Sequence, residues 1–211
     1  MDSLKELPPP SAAAAPAVVD PWRRFFAYAI DKSRPEQAAV SAGRSALLKE
    51  DPALDEPQRR DCTASASAVV IDLDDGPDAF LPERLAAAPA GVAAGLTHVR
   101  DAGVVVLWIS QLPEARAADV ARALSTSGLD PLGQDQLLLL RRTQDRKQLL
   151  REDASDDVCI VAIAGDRRSD FDELFDYLRH PDSAAGLDAM LGDGWFLVPA
   201  LTSPATPSTE R

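Results

Sequence analysis

From about residue 66 onward, short apolar runs alternate with amphipathic stretches. Five runs rich in Val, Ile and Leu are typical of buried strands: ASAVVIDL (66–73), VVVLWIS (104–110), DQLLLL (135–140), DVCIVAIAGD (157–166) and GWFLVP (194–199). Four stretches between them predict helices: PAGVAAGLTHVRDAG, PEARAADVARALSTSG, DRKQLLRED and DFDELFDYLRH. Strands that alternate with helices predict an α/β fold with a five-stranded, mostly parallel sheet covered on both faces.

The rest of the chain divides into three segments around this main domain of residues 66–200. Residues 1–20 are rich in Pro and Ala and predict a disordered arm. Residues 21–65 predict a helical preface, with one helix opening at Pro21 and a second over residues 35–50. Residues 201–211 predict a flexible tail.

The charge of the chain narrows the classes of partner. Its net charge of −12 repels nucleic-acid and anionic membrane surfaces, so general nucleic-acid binding is excluded. Small phosphate esters are repelled as well, so a site for them needs local cations or a metal ion. No apolar run approaches the roughly 18–20 residues that span a membrane. The N-terminus lacks a signal-peptide pattern, which predicts the cytoplasm if Met1 is the native start.

Two cysteines, Cys62 and Cys159, lack the spacing of a zinc site. We expect two buried thiols. A disulfide between them is the alternative, and it would imply an oxidising compartment.

Residues with useful chemistry follow the predicted strands. Because the carboxyl ends of parallel strands lie at one edge of a sheet, where ligands bind, we expect these residues to converge. They are Asp72 and Asp74 after the first strand, Ser110 at the end of the second, Lys147 after the third, and Asp166 and Asp170 after the fourth.

This set contains the parts that phosphoryl transfer requires. A carboxylate can attack phosphorus, and a second group must exchange protons with the leaving oxygen and with water. Mg²⁺ prefers oxygen ligands, and a cation with a hydroxyl can hold the phosphate oxygens. Each residue also has a simpler interpretation: Ser110 and Asp170 as helix caps, and Lys147 as a solvated helix residue. The conjunction of four elements in order favours function.

The same residues resemble the motifs of the haloacid dehalogenase (HAD) superfamily. VVIDLDD is similar to its first motif, VLWIS to its second and AIAGDRRSDF to its fourth, and Lys147 stands where the lysine of the third belongs. The strand GWFLVP strengthens a likeness to bacterial class B and lipoprotein-type acid phosphatases. The resemblance covers residues 66–200 and implies a three-layer HAD-like Rossmannoid fold, with these residues as the catalytic domain.

The resemblance also implies roles for the site residues. Asp72 would be the nucleophile and Asp74 the general acid/base, while Ser110 and Lys147 would bind phosphate. Mg²⁺ would be held by the Asp72 carboxylate, the Asp74 backbone carbonyl and Asp166, with Asp170 close by or acting through water. The family's compartment would be the periplasm or cell envelope.

Two departures from the family keep alternatives open. Gly76, followed by Pro77, stands where the first motif usually carries Thr or Val. The short stretch from Asp74 to Ser110 leaves room for a minimal cap or none. The expected partner is a phosphorylated small molecule or a macromolecular substrate. An open site suits the large substrate, or a lid from another subunit of a homo-oligomer. We expect a Mg²⁺-dependent phosphomonoester hydrolase; a degenerate binding or storage module and a phosphotransferase to an alcohol are the alternatives.

The remaining candidates receive no catalytic role. His98 and His180 lie away from the predicted strand ends. Arg141, Arg142 and Arg151 flank Lys147; we expect them to form solvated salt bridges, and contact of one of them with the phosphate is the alternative. Trp108 and Trp195 predict core positions. For Arg167 and Arg168, a contribution of positive charge at the site and simple exposure to solvent stay equally open.

Overall fold

The computed structural model describes residues 20–34, 36, 44–49, 54–64, 66–85, 87–89 and 91–202. Five strands form one sheet: β1 (Ser67–Asp72), β2 (Val105–Pro113), β3 (Gln136–Leu140), β4 (Cys159–Gly165) and β5 (Trp195–Leu197). Their order is β3-β2-β1-β4-β5, and every neighbouring pair is parallel. The predicted five-stranded α/β fold is confirmed. All six residues of β1 are buried because this strand lies at the centre of the sheet.

Within the described ranges, α-helices with defined bounds surround the sheet: α1 (Pro21–Lys32), α2 (Val92–Asp101), α3 (Ala117–Ser127), α4 (Lys147–Ala154) and α5 (Leu174–Tyr177). Short 3-10 helices cover Pro82–Arg84, Glu114–Arg116, Arg168–Asp170 and Pro181–Met190. The helix predicted over residues 170–180 is wrong outside α5. Leu178 and His180 adopt extended backbone conformations, and Pro181 disfavours a helical residue before it.

The core lies in two layers, one on each face of the sheet. Val69 and Ile71 of β1 pack into the layer that contains the buried residues of α1, α2 and α3. Ala68 and Val70 face the opposite layer with Leu150 of α4. This alternation follows from the two-residue period of a strand, and it produces a three-layer domain.

The second helix predicted over residues 35–50 is wrong for residues 44–49, and all of its other residues except Glu36 lie outside the described part of the chain. Residues 44–49 run beside the sheet without helical structure. Leu48 forms an antiparallel bridge with Arg59. The Ala46 N–H donates to the carbonyl of Ile160 at 2.7 Å, and its carbonyl accepts from Trp195 Nε1 at 2.8 Å. These tertiary hydrogen bonds replace the intrahelical ones.

Cys62 and Cys159 form a disulfide, with Cα atoms 5.1 Å apart. The expectation of two free thiols is therefore wrong. The bridge joins the segment before β1 to the start of β4, across 97 residues of sequence. A backbone hydrogen bond near the bridge supports this pairing: the Cys159 N–H donates to the Ala66 carbonyl at 2.7 Å.

The predicted arm and tail lie outside the described residues except for Asp20, Leu201 and Thr202. Leu201 is buried in the core, so the first residue of the predicted tail is ordered against the domain. Among the described residues, no helix is both long enough and apolar enough to cross a membrane. Between β1 and β2 the described chain forms a turn, a 3-10 helix and α2, without a separate cap domain.

Candidate active site

The structure brings predicted site residues together at one edge of the sheet. Asp72 ends β1, and Ser110 lies in β2. Lys147 begins α4, and Asp166 directly follows β4. Because β1 pairs in parallel with both β2 and β4, the carboxyl ends of three neighbouring strands share this edge. It is the edge at which open parallel sheets bind ligands.

The ammonium group of Lys147 connects three of the predicted carboxylates. Lys147 Nζ lies 2.5 Å from Asp72 Oδ2, 3.2 Å from Asp74 Oδ2 and 3.1 Å from Asp170 Oδ1. Burial by itself would lower the pKa of Lys147, but the three carboxylates outweigh it and raise that pKa. The side chain is only 13% exposed, so a solvated helix lysine does not describe it. Lys147 therefore places a positive charge among three acids.

The Asp74 carboxylate is held by donors on both oxygens. Ser110 Oγ donates to Asp74 Oδ1 at 2.6 Å, and the Phe80 N–H donates to the same atom at 2.9 Å. The Gln111 N–H donates to Oδ2 at 3.0 Å. Ser110 is fully buried within β2, so it does not cap a helix. The Ser110 hydroxyl has one proton. To donate it to a phosphate oxygen, Ser110 would have to give up its hydrogen bond to Asp74.

Asp72 is a buried acid of the cluster. Burial raises the pKa of Asp72 above its usual range; Lys147 opposes this effect, and Asp170 and Asp74 add to it. One of its oxygens accepts the Asp74 N–H at 2.9 Å, and the other accepts from Lys147. A desolvated carboxylate with acidic neighbours is stabilised by additional positive charge, so this position favours a cation nearby.

Gly76 links the turn after β1 to Asp166. Its N–H donates to Asp166 Oδ2 at 2.9 Å, and its φ of +58° is the left-handed conformation that glycine adopts most readily. Asp166 Oδ1 is buried and has no hydrogen-bond donor among the described residues. Burial raises the pKa of Asp166, the Gly76 N–H opposes this, and Asp170 contributes to the increase. Gly76 therefore has a defined structural role, and one buried oxygen of Asp166 lacks a donor among the described residues.

Asp170 reaches the site because β4 ends in a glycine. A Cβ atom on Gly165 would lie 2.5 Å from the Cβ of Asp170, so a larger residue would displace the acid. Asp170 Oδ2 accepts the Arg167 N–H at 2.9 Å, inside the 3-10 turn. Asp172, by contrast, accepts the Leu174 N–H at 3.0 Å at the start of α5. Asp170 is therefore a site residue rather than the cap of that helix.

Arg151 is a component of the site that the sequence interpretation missed. The predicted solvated salt bridge is wrong, because Arg151 is completely buried. Its guanidinium donates to the Asp170 carbonyl at 2.8 Å and to Gln148 Oε1 at 2.7 Å. Burial lowers the pKa of Arg151, and Asp72, foremost among nearby acids, opposes this. The position of Arg151 four residues after Lys147 is a sequence signal for its place beside the cluster, since residues four apart share one face of a helix.

We expect Arg151→Met to destabilise the fold by about 3 kcal/mol. The substitution would remove the Arg151 cation and leave Lys147 beside the buried acids. Removing one charged partner from a buried cluster costs about 3–5 kcal/mol of folding stability. Urea denaturation would measure the loss. Arg142→Met is the matched control, because Arg142 is exposed on the loop before α4. A loss below about 1 kcal/mol for Arg151→Met would contradict the assigned role.

An open cleft of about 370 Å³ lies against the cluster. Lys147 and Asp170 line its inner part, while Arg146, Arg167 and Tyr177 line its outer part. Among the described residues, no three acidic, histidine or cysteine side chains form a ready-made metal cluster. The carboxylates of Asp72, Asp74 and Asp170 instead meet at the lysine.

Other residues considered from sequence lie apart from the cluster. His98 and His180 are exposed. Arg141 forms a surface ion pair with Asp153, and Arg168 pairs with Asp188. The predicted core positions of Trp108 and Trp195 are confirmed by exposures of 0% and 1%.

Comparison with solved structures identifies a class C acid phosphatase from Bacillus anthracis. The structure with tungstate bound is 21% identical to this chain, with a TM-score of 0.53, and the match covers 65% of this chain and 68% of that one. A second structure of the enzyme is 22% identical, with the same TM-score and coverage. This chain has the HAD-like Rossmannoid fold.

The sequence comparisons add no closer relative. No family model matches the chain, and no curated protein matches it. The structural likeness therefore establishes the fold alone. The finer likeness to class B and lipoprotein-type enzymes stays a prediction.

Proposed function

We propose that this protein is a Mg²⁺-dependent phosphomonoester hydrolase that acts through an aspartyl-phosphate on Asp72. The observation that carries the proposal is the set of ion pairs from Lys147 to Asp72, Asp74 and Asp170 at this edge of the sheet. The acid phosphatase with the same fold supports it, because tungstate is a tetrahedral oxyanion like phosphate.

The proposed chemistry has two steps. An oxygen of Asp72 attacks phosphorus as the bond to the leaving oxygen breaks, and Asp74 gives its proton to that oxygen. Asp74 then takes a proton from water as the water attacks phosphorus, which releases phosphate and restores the Asp72 carboxylate. The ammonium of Lys147 stabilises the negative charge on the phosphoryl oxygens during both steps. Before the first step Asp74 must bind a proton, which replaces one of its present hydrogen-bond donors.

The available oxygens fit a magnesium ion. Mg²⁺ commonly binds one or two carboxylates and keeps several waters, so it does not require three acidic side chains. Asp166 Oδ1 is buried without a donor among the described residues, and Asp72 is a desolvated acid at the same edge of the sheet. These two carboxylates and the Asp74 backbone carbonyl would hold the ion. Asp170, which accepts from Lys147 and the Arg167 N–H, would lie close by or act through water. When bound, Mg²⁺ would neutralise charge on the phosphate.

Hydrolysis of phenyl phosphate with Mg²⁺, and again with excess EDTA, tests the proposal. We expect turnover with Mg²⁺, a loss of at least about 100-fold with EDTA, and recovery when Mg²⁺ is restored. Calorimetric titration with Mg²⁺ and then with tungstate measures binding separately. Binding of both without turnover would favour the degenerate binding module. Equal turnover with and without EDTA would exclude the magnesium-dependent mechanism. The assay contains no alcohol acceptor, so formation of glycerol phosphate after addition of glycerol would reveal phosphotransfer to an alcohol.

A further inference from the structure

Two arginines stand at the outer part of the cleft, next in sequence to residues of the proposed site. Arg146 directly precedes Lys147, and Arg167 directly follows Asp166. Both line the cleft, and their side chains are 51% and 36% exposed. They approach it from different elements, the start of α4 and the loop after β4.

Both arginines are held by acids of one short segment. Arg146 Nη1 donates to Glu173 Oε1 at 2.6 Å, and Arg167 Nη2 donates to Asp176 Oδ1 at 3.1 Å. Glu173 precedes α5, and Asp176 lies within it. Exposed ion pairs of this kind contribute only about 0–1 kcal/mol each. A stronger anion in the cleft can therefore replace these carboxylates at small cost.

The neighbouring arginine shows that this placement is selective. Arg168 pairs with Asp188, and its guanidinium lies 5.7 Å from the centroid of the Phe175 ring. It does not line the cleft. Of the two arginines in the AIAGDRRSDF motif, Arg167 faces the cleft and Arg168 packs against the surface.

We propose that Arg146 and Arg167 form a second anion subsite, which selects phosphate monoesters whose leaving group carries a further negative group. This inference rests on the proposed function and names its substrate class. The net charge of −12 repels such substrates at long range, so a preference for them must come from local cations. Arginine suits this use because its planar fork matches carboxylate and phosphate oxygens.

A matched pair of substrates tests the subsite. Phenyl phosphate and 4-carboxyphenyl phosphate differ by one carboxylate, far from the reacting phosphorus. We expect kcat/KM to be at least about tenfold higher for the carboxylated ester, and this ratio to fall about tenfold in Arg146→Gln and in Arg167→Gln, with the change mainly in KM. Arg168→Gln is the control and should keep the wild-type ratio.

A wild-type ratio of the two kcat/KM values near one would overturn the proposed subsite. An equal fall of this ratio in Arg168→Gln would also overturn it, because that fall would reflect general surface charge. Calorimetry with phenylphosphonate and 4-carboxyphenylphosphonate gives the corresponding ratio of binding affinities, without turnover. If neither ester is hydrolysed, the proposed reaction fails while the phosphonate ratio still decides the subsite. Tighter binding of the carboxylated phosphonate, lost in Arg167→Gln, would support it; equal binding of the two phosphonates would reject it.

Discussion

Asp72→Asn is expected to lower kcat for phenyl phosphate hydrolysis by about 10⁴-fold or more, because the substitution removes the proposed nucleophile. An amide is nearly the same size as a carboxylate but does not form the covalent phosphoryl intermediate. The side chain is buried at the end of β1, so water has little room to replace it as the attacking group. Initial rates at saturating substrate and Mg²⁺ would measure the effect.

The fold should survive this change. Lys147 keeps its contacts with Asp74 and Asp170, so its ammonium stays paired. Circular dichroism and urea denaturation would verify that the variant is folded. Asp78→Asn is the matched control, because Asp78 is an exposed acid in the turn after β1. If Asp72→Asn retains turnover within tenfold of the wild type while folded, Asp72 is not the nucleophile.

Loss of the disulfide is the second large effect that we expect, at about 4 kcal/mol of folding stability. The bridge closes a loop of 97 residues, and cross-links of that length restrict the unfolded chain by about 4–5 kcal/mol in the loop-entropy model. For a domain of this size, the corresponding fall in Tm is about 10 °C. The double variant Cys62→Ala/Cys159→Ala, compared with wild type by urea denaturation, would measure it.

Reduction of the wild-type protein by dithiothreitol should produce the same loss. The double variant should not respond to dithiothreitol, which separates the effect of the bridge from that of the reagent. Labelling of both cysteines by N-ethylmaleimide in the unreduced, denatured protein would show free thiols and contradict the pairing. Because disulfides persist in oxidising compartments and are rare in the cytosol, a bridge in the native protein favours an exported location.

The elements of the fold could be predicted because their signals are local. The apolar runs around Val70, Trp108 and Ile163 needed no partner to be recognised as strands, since burial on both faces of a parallel sheet requires apolar residues at every position. Gly128 marked the end of α3 in the same way, and its φ is +82°. The prediction of a helix over residues 170–180 was wrong outside α5. The local pattern of apolar residues did not account for the extended backbone that Pro181 favours in the residue before it.

The sequence also determined which residues lie at the candidate site. Asp72 ends β1, Asp166 follows β4 and Ser110 lies three residues before the end of β2. Parallel topology sends the ends of neighbouring strands to one edge. Chain order and strand direction are sufficient for that conclusion. They do not determine what each side chain contacts.

The tertiary structure alone decided those contacts, because they join residues that are distant in sequence. Arg151 is completely buried, with its guanidinium on the Asp170 carbonyl, only when α4 packs beside the turn after β4. Its spacing from Lys147 places it on the same face of α4 but does not identify this partner. Cys62 meets Cys159 across 97 residues. Arg167 and Arg168 are adjacent in sequence, yet one faces the cleft and the other the surface. Periodicity reports which residues prefer burial, whereas the pairing of charges depends on distances that exist only after the layers have packed.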